Sequence, residues 1–550
     1  MQQQQRGPPP SVRWRRRGSA AASIACLLAT IAVATYTTGV FHVALPTPSI
    51  DEPRNLTLDR VPAVWQPSEF ECVAWRAMSD CDPVSGQRRP LSDQSCDAPI
   101  VTGLAGYCEV RNRTSGDTYR VMATTCHSIE RGVNFTCSMA RAFTDFRHRA
   151  AAYEHAPSIA GTASRGLVFA IYPAVVPSVS AIIQLLRSYG CRLPIELFYR
   201  HDEMDPRRNA VLQRLEQTDK VVLRAITDPR ATRFRTKPYA LYHASFDHVL
   251  LLDCDNLPLR DPTYLFESRA FETHGALFWP DYWQPSNTLF HVDGESLLWE
   301  YLGVAFPTGM FEQESGQVLL NRATSVRALQ YLMALTFHPN VLDDLKLAYG
   351  DKDLFRLAFL ATSTPFHYIA ALPMIVGTQL PWRAHFCGIA MGQRDMHGDM
   401  IFLHRNSAKL SGDAYQVPLL THLQRFDQGR SSATKYKVAW TGDLEPGTPC
   451  WSLPWLLAPS SVEALSPTHP VVQAERKAIA FAVAAGNLLL GARQAPIADR
   501  PMTVNAWTSW LLALAALLYV VFAMRQLPST WLHGSKKKRK TSSLVVNDCV

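Results

Sequence analysis

The stretch HVLLLDCDNLPLRDPTYLF, residues 248 to 266, passes from an apolar run directly into two aspartates one residue apart, Asp253 and Asp255. At the end of a buried strand, side-chain alternation turns Cys254 away, while the two carboxylates can share one hard cation or one hydroxylated ligand. The plainer reading is that one aspartate caps a turn and the other is solvated, since short acidic patterns are common. The position directly after a continuous apolar run favours chemistry. Further polar groups stand where chemistry is possible. His404 ends the strand-like MIFLH, with Lys409 five residues later; QESGQ offers Gln313, Glu314 and Gln317 around Gly316; GDKDLFR places Asp351 and Asp353 about Lys352.

These residues need a scaffold, and the surrounding pattern supplies one. GLVFAIY at 166 to 172 reads as a strand, PSVSAIIQLLRSYG at 177 to 190 has helical spacing, and PIELFYR at 194 to 200 is again strand-like. VVLRAI, the helix-like KPYALYHASF and HVLLLD continue the alternation. Continuous apolar strands separated by helices imply an α/β fold whose parallel sheet is covered on both faces. In such sheets ligands gather at the carboxyl ends of strands, where Asp253 and Asp255 fall.

With 550 residues, 47% hydrophobic and 19% charged, the chain can bury one large core and a smaller module, and it is not a disordered protein. The formal charge of +8 invites a nucleic-acid reading until its distribution is read. Residues 1 to 17 carry five arginines and no acid, and residues 525 to 550 carry six basic residues against Asp548. That is +5 at each end, leaving −2 of the formal +8 for everything between. This distribution argues against a basic nucleic-acid surface on the folded part.

Each basic tail abuts an uncharged apolar stretch, 18–41 and 506–524, roughly long enough to cross a bilayer. Positive flanks stay cytosolic, so both termini are expected in the cytosol and the middle in the lumen. A cleaved signal peptide is the alternative for the first stretch. KKKRK at 536 to 540 matches a nuclear import signal, but the flank of a membrane anchor explains it better. Ala478 to Ala492 is also apolar; short and interrupted by Gly486 and Asn487, it reads as a buried or interfacial helix.

Cysteine usage tests this topology, because lumenal chains oxidise and cytosolic ones do not. Of 12 cysteines, Cys72, Cys81, Cys96, Cys108, Cys126 and Cys137 form an even set in a segment with little hydrophobic periodicity. They read as a small disulfide framework whose pairing cannot be deduced, and their wide spacing argues against zinc. The sequons at Asn55, Asn112 and Asn134 lie in or beside this stretch. The expected organisation is a basic tail (1–17), an anchor (18–41), a stem and cysteine-rich module (42–150), a large domain (160–412), a Trp- and Pro-containing appendage with linker (413–505), a second span (506–524) and a basic tail (525–550).

RFRTKPYALYHASFDHVLLLDCDNLPLRDPTYLF, GALFWPDYW, QESGQ, GDKDLFR and FLHRNSAK occur in the order seen in fungal Golgi α-mannosyltransferases that build and branch mannan chains. Residues 165 to 412 resemble that family. The resemblance implies a GT-A type, Rossmann-like nucleotide-sugar fold, a GDP-mannose donor, a glycan acceptor, a divalent metal, usually Mn2+, and retention of the α configuration in the Golgi membrane. The cysteine-rich module and second anchor depart from the family's usual single-anchor plan, which leaves acceptor and linkage open.

Beside that resemblance each motif has a physical reading. Asp255, with Asp253, would hold the metal that bridges the donor diphosphate, and His404 is the candidate third ligand against the plainer role of a structural histidine. Lys409 could meet the phosphates as a point charge, and Lys237, opening its helix, would face the donor. In GALFWPDYW, Asp281 suits donor hydroxyls, Trp279 is assigned to packing and Trp283 is a possible acceptor contact. Breaking the donor bond puts positive charge on the anomeric carbon, for which Glu314 is the candidate partner and Gln317 the second. Gly316 allows close backbone approach of a ligand. Asp351 and Asp353 stand at a helix N-terminus, where acids favour the helix dipole; capping explains one of them, and Asp353 is also a candidate binder of donor or acceptor hydroxyls. Two other functions fit part of the pattern: a retaining hexosyltransferase using a UDP-sugar, and a non-catalytic membrane receptor for carbohydrate.

Overall fold

The computed structural model describes residues 67–139, 157–288, 292–338, 344–380, 385–425, 436–453 and 462–491. Among the described residues no helix is long and apolar enough to cross a membrane. The stretches 18–41 and 506–524, both basic tails and Asn55 lie outside them.

The cysteine-rich segment is a three-stranded antiparallel sheet of β1 (Phe70–Ala77), β2 (Gly106–Asn112) and β3 (Thr118–Thr124). Disulfides Cys72–Cys96, Cys81–Cys126 and Cys108–Cys137 pair its six cysteines. Phe70, Trp75, Ile100 and Phe135 are buried and share one apolar cluster with Leu298 and Tyr301 of the large domain. Across the same junction Thr125 Oγ1 donates to Glu295 Oε2 at 2.8 Å. The module is therefore packed on the large domain.

The expected alternation forms closely as read: β4 (Arg165–Ile171), α1 (Val176–Ser188), β5 (Ile195–Arg200), α2 (Ala210–Thr218), β6 (Val221–Ile226), α3 (Thr236–His243) and β7 (His248–Leu252). After them come β8 (Asn256–Pro258), α4 (Arg269–His274), β9 (Ala276–Pro280), α5 (Leu298–Leu302), β10 (Gln313–Asn321), α6 (Val326–Phe337), α7 (Leu354–Ala361) and β11 (His367–Tyr368). Seven strands form one sheet in the order β11-β9-β10-β7-β4-β5-β6. β4 to β7 are mutually parallel, but β10 runs antiparallel to both its neighbours, β7 and β9. With β11 parallel to β9, six of the seven strands of this sheet run one way and β10 is the strand reversed against the parallel expectation. An antiparallel strand buried on both faces carries the same continuous apolar run, VLL in β10, so the sequence pattern does not reveal its direction.

A second, antiparallel sheet holds β12 (Met374–Leu380), β13 (His385–Arg394), β15 (His422–Gln424), β16 (Ala439–Asp443), β17 (Pro449–Ser452) and β18 (Val462–Ala464), in the order β16-β17-β13-β12-β15-β18. Between them in sequence, β14 (Met400–His404) pairs with β13 and with β8. The boundary expected at residue 412 is corrected here, because it would cut this sheet: β15 pairs with β12, and Cys387–Cys450 links β13 to β17. The stretch expected as appendage with linker contains β15 to β18. The helix read at 478 to 492 begins earlier, as α8 (Pro470–Leu490), with His469 Nδ1 accepting from Val471 N as its cap. Val471, Ala474, Ala478, Ala482 and Ala485 bury one face of α8 in the cluster formed by Val179, Ile182, Ile183 and Leu186 of α1. Small side chains on that face let the two helices approach closely.

Candidate active site

β7 stops at Leu252, so Asp253, Cys254 and Asp255 occupy the turn into β8 and not the strand itself. Backbone and side-chain bonds pin that turn on three sides. Asp253 N donates to Gly316 O at 2.9 Å, Arg405 N donates to Asp255 O at 2.9 Å, and Ser178 Oγ on α1 donates to Cys254 O at 2.5 Å. Cys254 points into the core, its Sγ 3.2 Å from Ala170 O, and burial pushes its thiol up, which keeps it an unreactive thiol.

Two strand registers complete the site. In the β10/β7 pair Gln317 stands opposite Leu252, so Glu314, Ser315 and Gly316 overshoot the end of β7 and run beside the aspartate turn. In the β14/β8 pair His404 stands opposite Asn256, next to Asp255. His404 Nε2 consequently lies 3.1 Å from Asp255 Oδ1 and 3.9 Å from Asp253 Oδ2, and its Nδ1 lies 3.3 Å from Glu314 Oε1. Lys409 Nζ is 2.9 Å from Asp255 Oδ2. Lys237 Nζ is 2.8 Å from Asp253 Oδ1 and 2.6 Å from Asp351 Oδ2, and donates to Ser315 Oγ at 3.2 Å. One ligand atom each from Asp253, Asp255 and His404 lies within 4.8 Å of the others.

Gly316 is needed for space. A Cβ there would stand 2.8 Å from His404 Nδ1 and 3.0 Å from Glu314 Oε1, so what approaches closely is the protein's own imidazole and carboxylate. Gly316 N also donates to Glu314 Oε1 at 2.5 Å.

Burial, partly offset by Lys237, raises the Asp253 carboxyl to about 6, with the charges of Asp255 and Asp351 adding to the rise. Burial would lift Asp255 too, but His404 and Lys409 outweigh it and hold that carboxyl well below the usual range. For His404 burial opposes protonation; Asp255 and Glu314 outweigh it and raise the imidazole well above an ordinary histidine. Glu314 in turn is kept low against burial by His404 and the Gly316 N–H.

A second charged group adjoins the first. Lys352 Nζ lies 3.1 Å from Asp281 Oδ2 and 3.2 Å from Asp353 Oδ2, and also pairs with Glu312. Asp353 Oδ1 accepts from Arg356 Nη2 at 2.5 Å and from Gln313 N at 2.9 Å, which fixes the start of β10. The capping role expected for one of these acids is therefore corrected: Asp353 is the N-cap residue of α7, but its carboxylate makes no cap bond, and Asp351 is paired with Lys237. Burial, with Glu314 and Glu312 against Lys352, lifts the Asp281 carboxyl to about 7.

Of the expected site residues, Asp253, Asp255, Glu314, His404, Lys237 and Lys409 meet directly, and Asp281 stands in the adjoining charged group. Gln317 is fully buried, its Oε1 accepting from Asn256 Nδ2 at 2.6 Å, and it ties β10 to β8. Trp279 packs as read, donating Nε1 to Arg394 O at 2.8 Å. Trp283, read as a possible acceptor contact, is buried edge-on against Trp451, ring centroids 5.6 Å apart. Glu312, Ser315 and Asn256 join the site without a motif of their own in the sequence, as does the pairing of Lys352. The one available signal was the lysine between two acids in GDKD.

The family model described as "Mannosyltransferase putative" matches residues 164–293 and 309–395. Alpha-1,2-mannosyltransferase MNN21 of Candida albicans is 27% identical over 277 residues, covering 40% of this chain and 41% of that protein. Alpha-1,2-mannosyltransferase MNN23 of the same organism is 26% identical over 313 residues, covering 46% and 50%. The chain thus spans half or less of the length of these relatives. The solved glycosyltransferase GlyE of Streptococcus pneumoniae aligns at 17% identity and a TM-score of 0.26, covering 37% of this chain and 45% of its own. The matched segments contain the aspartate turn, β10 and GDKD, and over them the large domain of this chain is similar to the mannosyltransferase family.

Proposed function

We propose that the chain is a retaining α-mannosyltransferase of GT-A type that transfers mannose from GDP-mannose to a glycan acceptor in the Golgi lumen. The observation that carries this reading is the convergence of Asp253, Asp255, His404 and Glu314 at the carboxyl end of β7 in a domain of that family. The three disulfides of the cysteine-rich module and Cys387–Cys450 support an oxidising compartment, and the apolar stretches 18–41 and 506–524 support two membrane spans.

Two carboxylates and an imidazole within 4.8 Å of one another make a hard donor set that fits a divalent cation such as Mn2+. Bound by Asp253, Asp255 and His404, it would neutralise charge growing on the donor diphosphate as the nucleotide leaves. Lys409, 40% exposed while paired with Asp255, brings a second positive charge to that end. Lys237 holds Asp253 and Asp351 in place. Glu314, kept ionised by His404, sets negative charge beside the anomeric carbon as positive charge develops there. Asp281, held partly protonated near neutral pH, can donate to or accept from a sugar hydroxyl. Gln317 and Asp353 position β10.

The test is transfer by the full chain in detergent, with GDP-mannose, UDP-glucose or UDP-galactose, with and without EDTA. Transfer from GDP-mannose alone, lost with EDTA and restored by Mn2+, is expected. Transfer from a UDP-sugar alone would replace the donor, and absence of transfer with every donor would favour the carbohydrate-receptor reading.

A further inference from the structure

Glu475 lies on α8, beyond the residues that the family model matches, yet it grips the segment that carries His404 and Lys409. Its Oε1 accepts from Arg405 Nη1 and from Leu419 N, the latter at 3.0 Å, and its Oε2 accepts from Leu420 N at 2.8 Å. The side chains of Arg405 and Glu475 are 1% and 0% exposed. Arg405 directly follows His404. Its backbone N–H holds Asp255 O, and its Nε donates to Ala408 O at 2.8 Å, closing a tight loop whose next residue is Lys409. A second contact keeps helix and segment in register: Gly486 of α8 lies so close to Gly412 that a Cβ would come within 2.2 Å of its carbonyl oxygen.

A buried ion pair is a poor source of net stability, because removing both charges from water consumes most of what their attraction returns. What it does impose is a single geometry. Here that geometry decides where the backbone between His404 and Lys409 lies, since both the main chain and the guanidinium of Arg405 are engaged.

We propose that Glu475 is a positioning residue for the cation and diphosphate end of the site, acting through Arg405 to set His404 and Lys409 against Asp255. The proposal rests on the reading of Asp253, Asp255 and His404 as cation ligands.

The test measures Mn2+ and GDP binding by calorimetry, with melting temperatures, on the full chain in detergent. The variants are Glu475→Gln, Arg405→Gln, their double, Ile479→Ala and Asp255→Asn, with Glu475→Asp in reserve where Glu475→Gln does not fold. Glu475→Gln keeps the volume, removes the charge facing Arg405 and turns an amide N–H on one of its N–H partners. Its Mn2+ dissociation constant is expected to rise about tenfold or more, as for residues that orient a metal ligand. GDP binding should weaken with it, and KM for the donor should rise more than kcat falls. The double variant should bind Mn2+ no worse than the weaker single, since the two residues act as one unit. Ile479→Ala truncates the apolar face of the same helix and should lower the melting temperature with Mn2+ affinity changed less than about twofold, because it leaves both members of the Glu475–Arg405 pair in place. Equal effects of Glu475→Gln and Ile479→Ala, or additive effects in the double, would overturn the proposal and leave Glu475 a structural residue. Unchanged Mn2+ binding in Asp255→Asn is a separate outcome: it would overturn the cation reading itself, and the proposal with it.

Discussion

Glu314 Oε1 lies 3.3 Å from His404 Nδ1, so the carboxylate proposed to face the anomeric carbon and the histidine proposed to hold the cation form one charge-paired unit. Glu314→Gln keeps an oxygen for that contact and loses the charge. Its kcat is expected to fall about 100-fold or more, the usual cost of one well-placed electrostatic contact, with GDP affinity nearly unchanged by calorimetry. A rise confined to KM would make Glu314 a ground-state binder and move Asp281 to the front.

Gly316→Ala tests the same unit from the backbone side. The added methyl would stand 2.8 Å from His404 Nδ1 and 3.0 Å from Glu314 Oε1, so both side chains must move. Overpacking of this kind costs roughly 1–3 kcal/mol. A lower melting temperature is expected together with at least a tenfold loss of kcat, roughly what sub-ångström displacement costs a preorganised site. Wild-type kcat in a folded Gly316→Ala protein would show that the contact does not matter to transfer.

Asp255→Asn removes the charge that a hard cation needs while keeping the size of the side chain. The wild-type protein should melt higher with added Mn2+ because the cation binds only the folded form, and the variant should not respond. A Mn2+ response in Asp255→Asn equal to that of the wild type would place the cation elsewhere.

Asp281 predicts a pH dependence. In the folded protein its carboxyl holds a proton up to about pH 7, against an ordinary value of 3.8. The folded form thus binds the proton more tightly, so this contribution to stability is full below about pH 4 and is lost as pH rises through about 7. From pH 5 to 8 the wild type should lose roughly 3 kcal/mol that Asp281→Asn retains, at about 1.4 kcal/mol per pH unit of differential protonation. Denaturant unfolding at the two pH values measures it. Parallel behaviour of the two proteins would mean that Asp281 titrates normally.

Apolar periodicity by itself determined the first half of the seven-stranded sheet, because β4 to β7 bury both faces and the helices between them bury one. It also placed the carboxylates of Asp253 and Asp255 at a strand end. The ordered motifs pointed to Glu314 and His404. Tertiary structure decided the rest. The direction of β10 and the register of β14 on β8 are long-range pairings that leave no local trace, yet they bring Glu314 and His404 to the aspartates. The roles of Asp353 and Gln317 turned on partners distant in sequence, Gln313 and Asn256, so residues legible as polar and near the site proved to be engaged within the fold. The pairing of the six module cysteines was open for the same reason: an even count shows that they pair, and only the path of the chain between them shows which sulfurs meet. The boundary at residue 412 failed because β15 to β18 are too short to announce a sheet by themselves and acquire their hydrogen bonds from β12, β13 and one another.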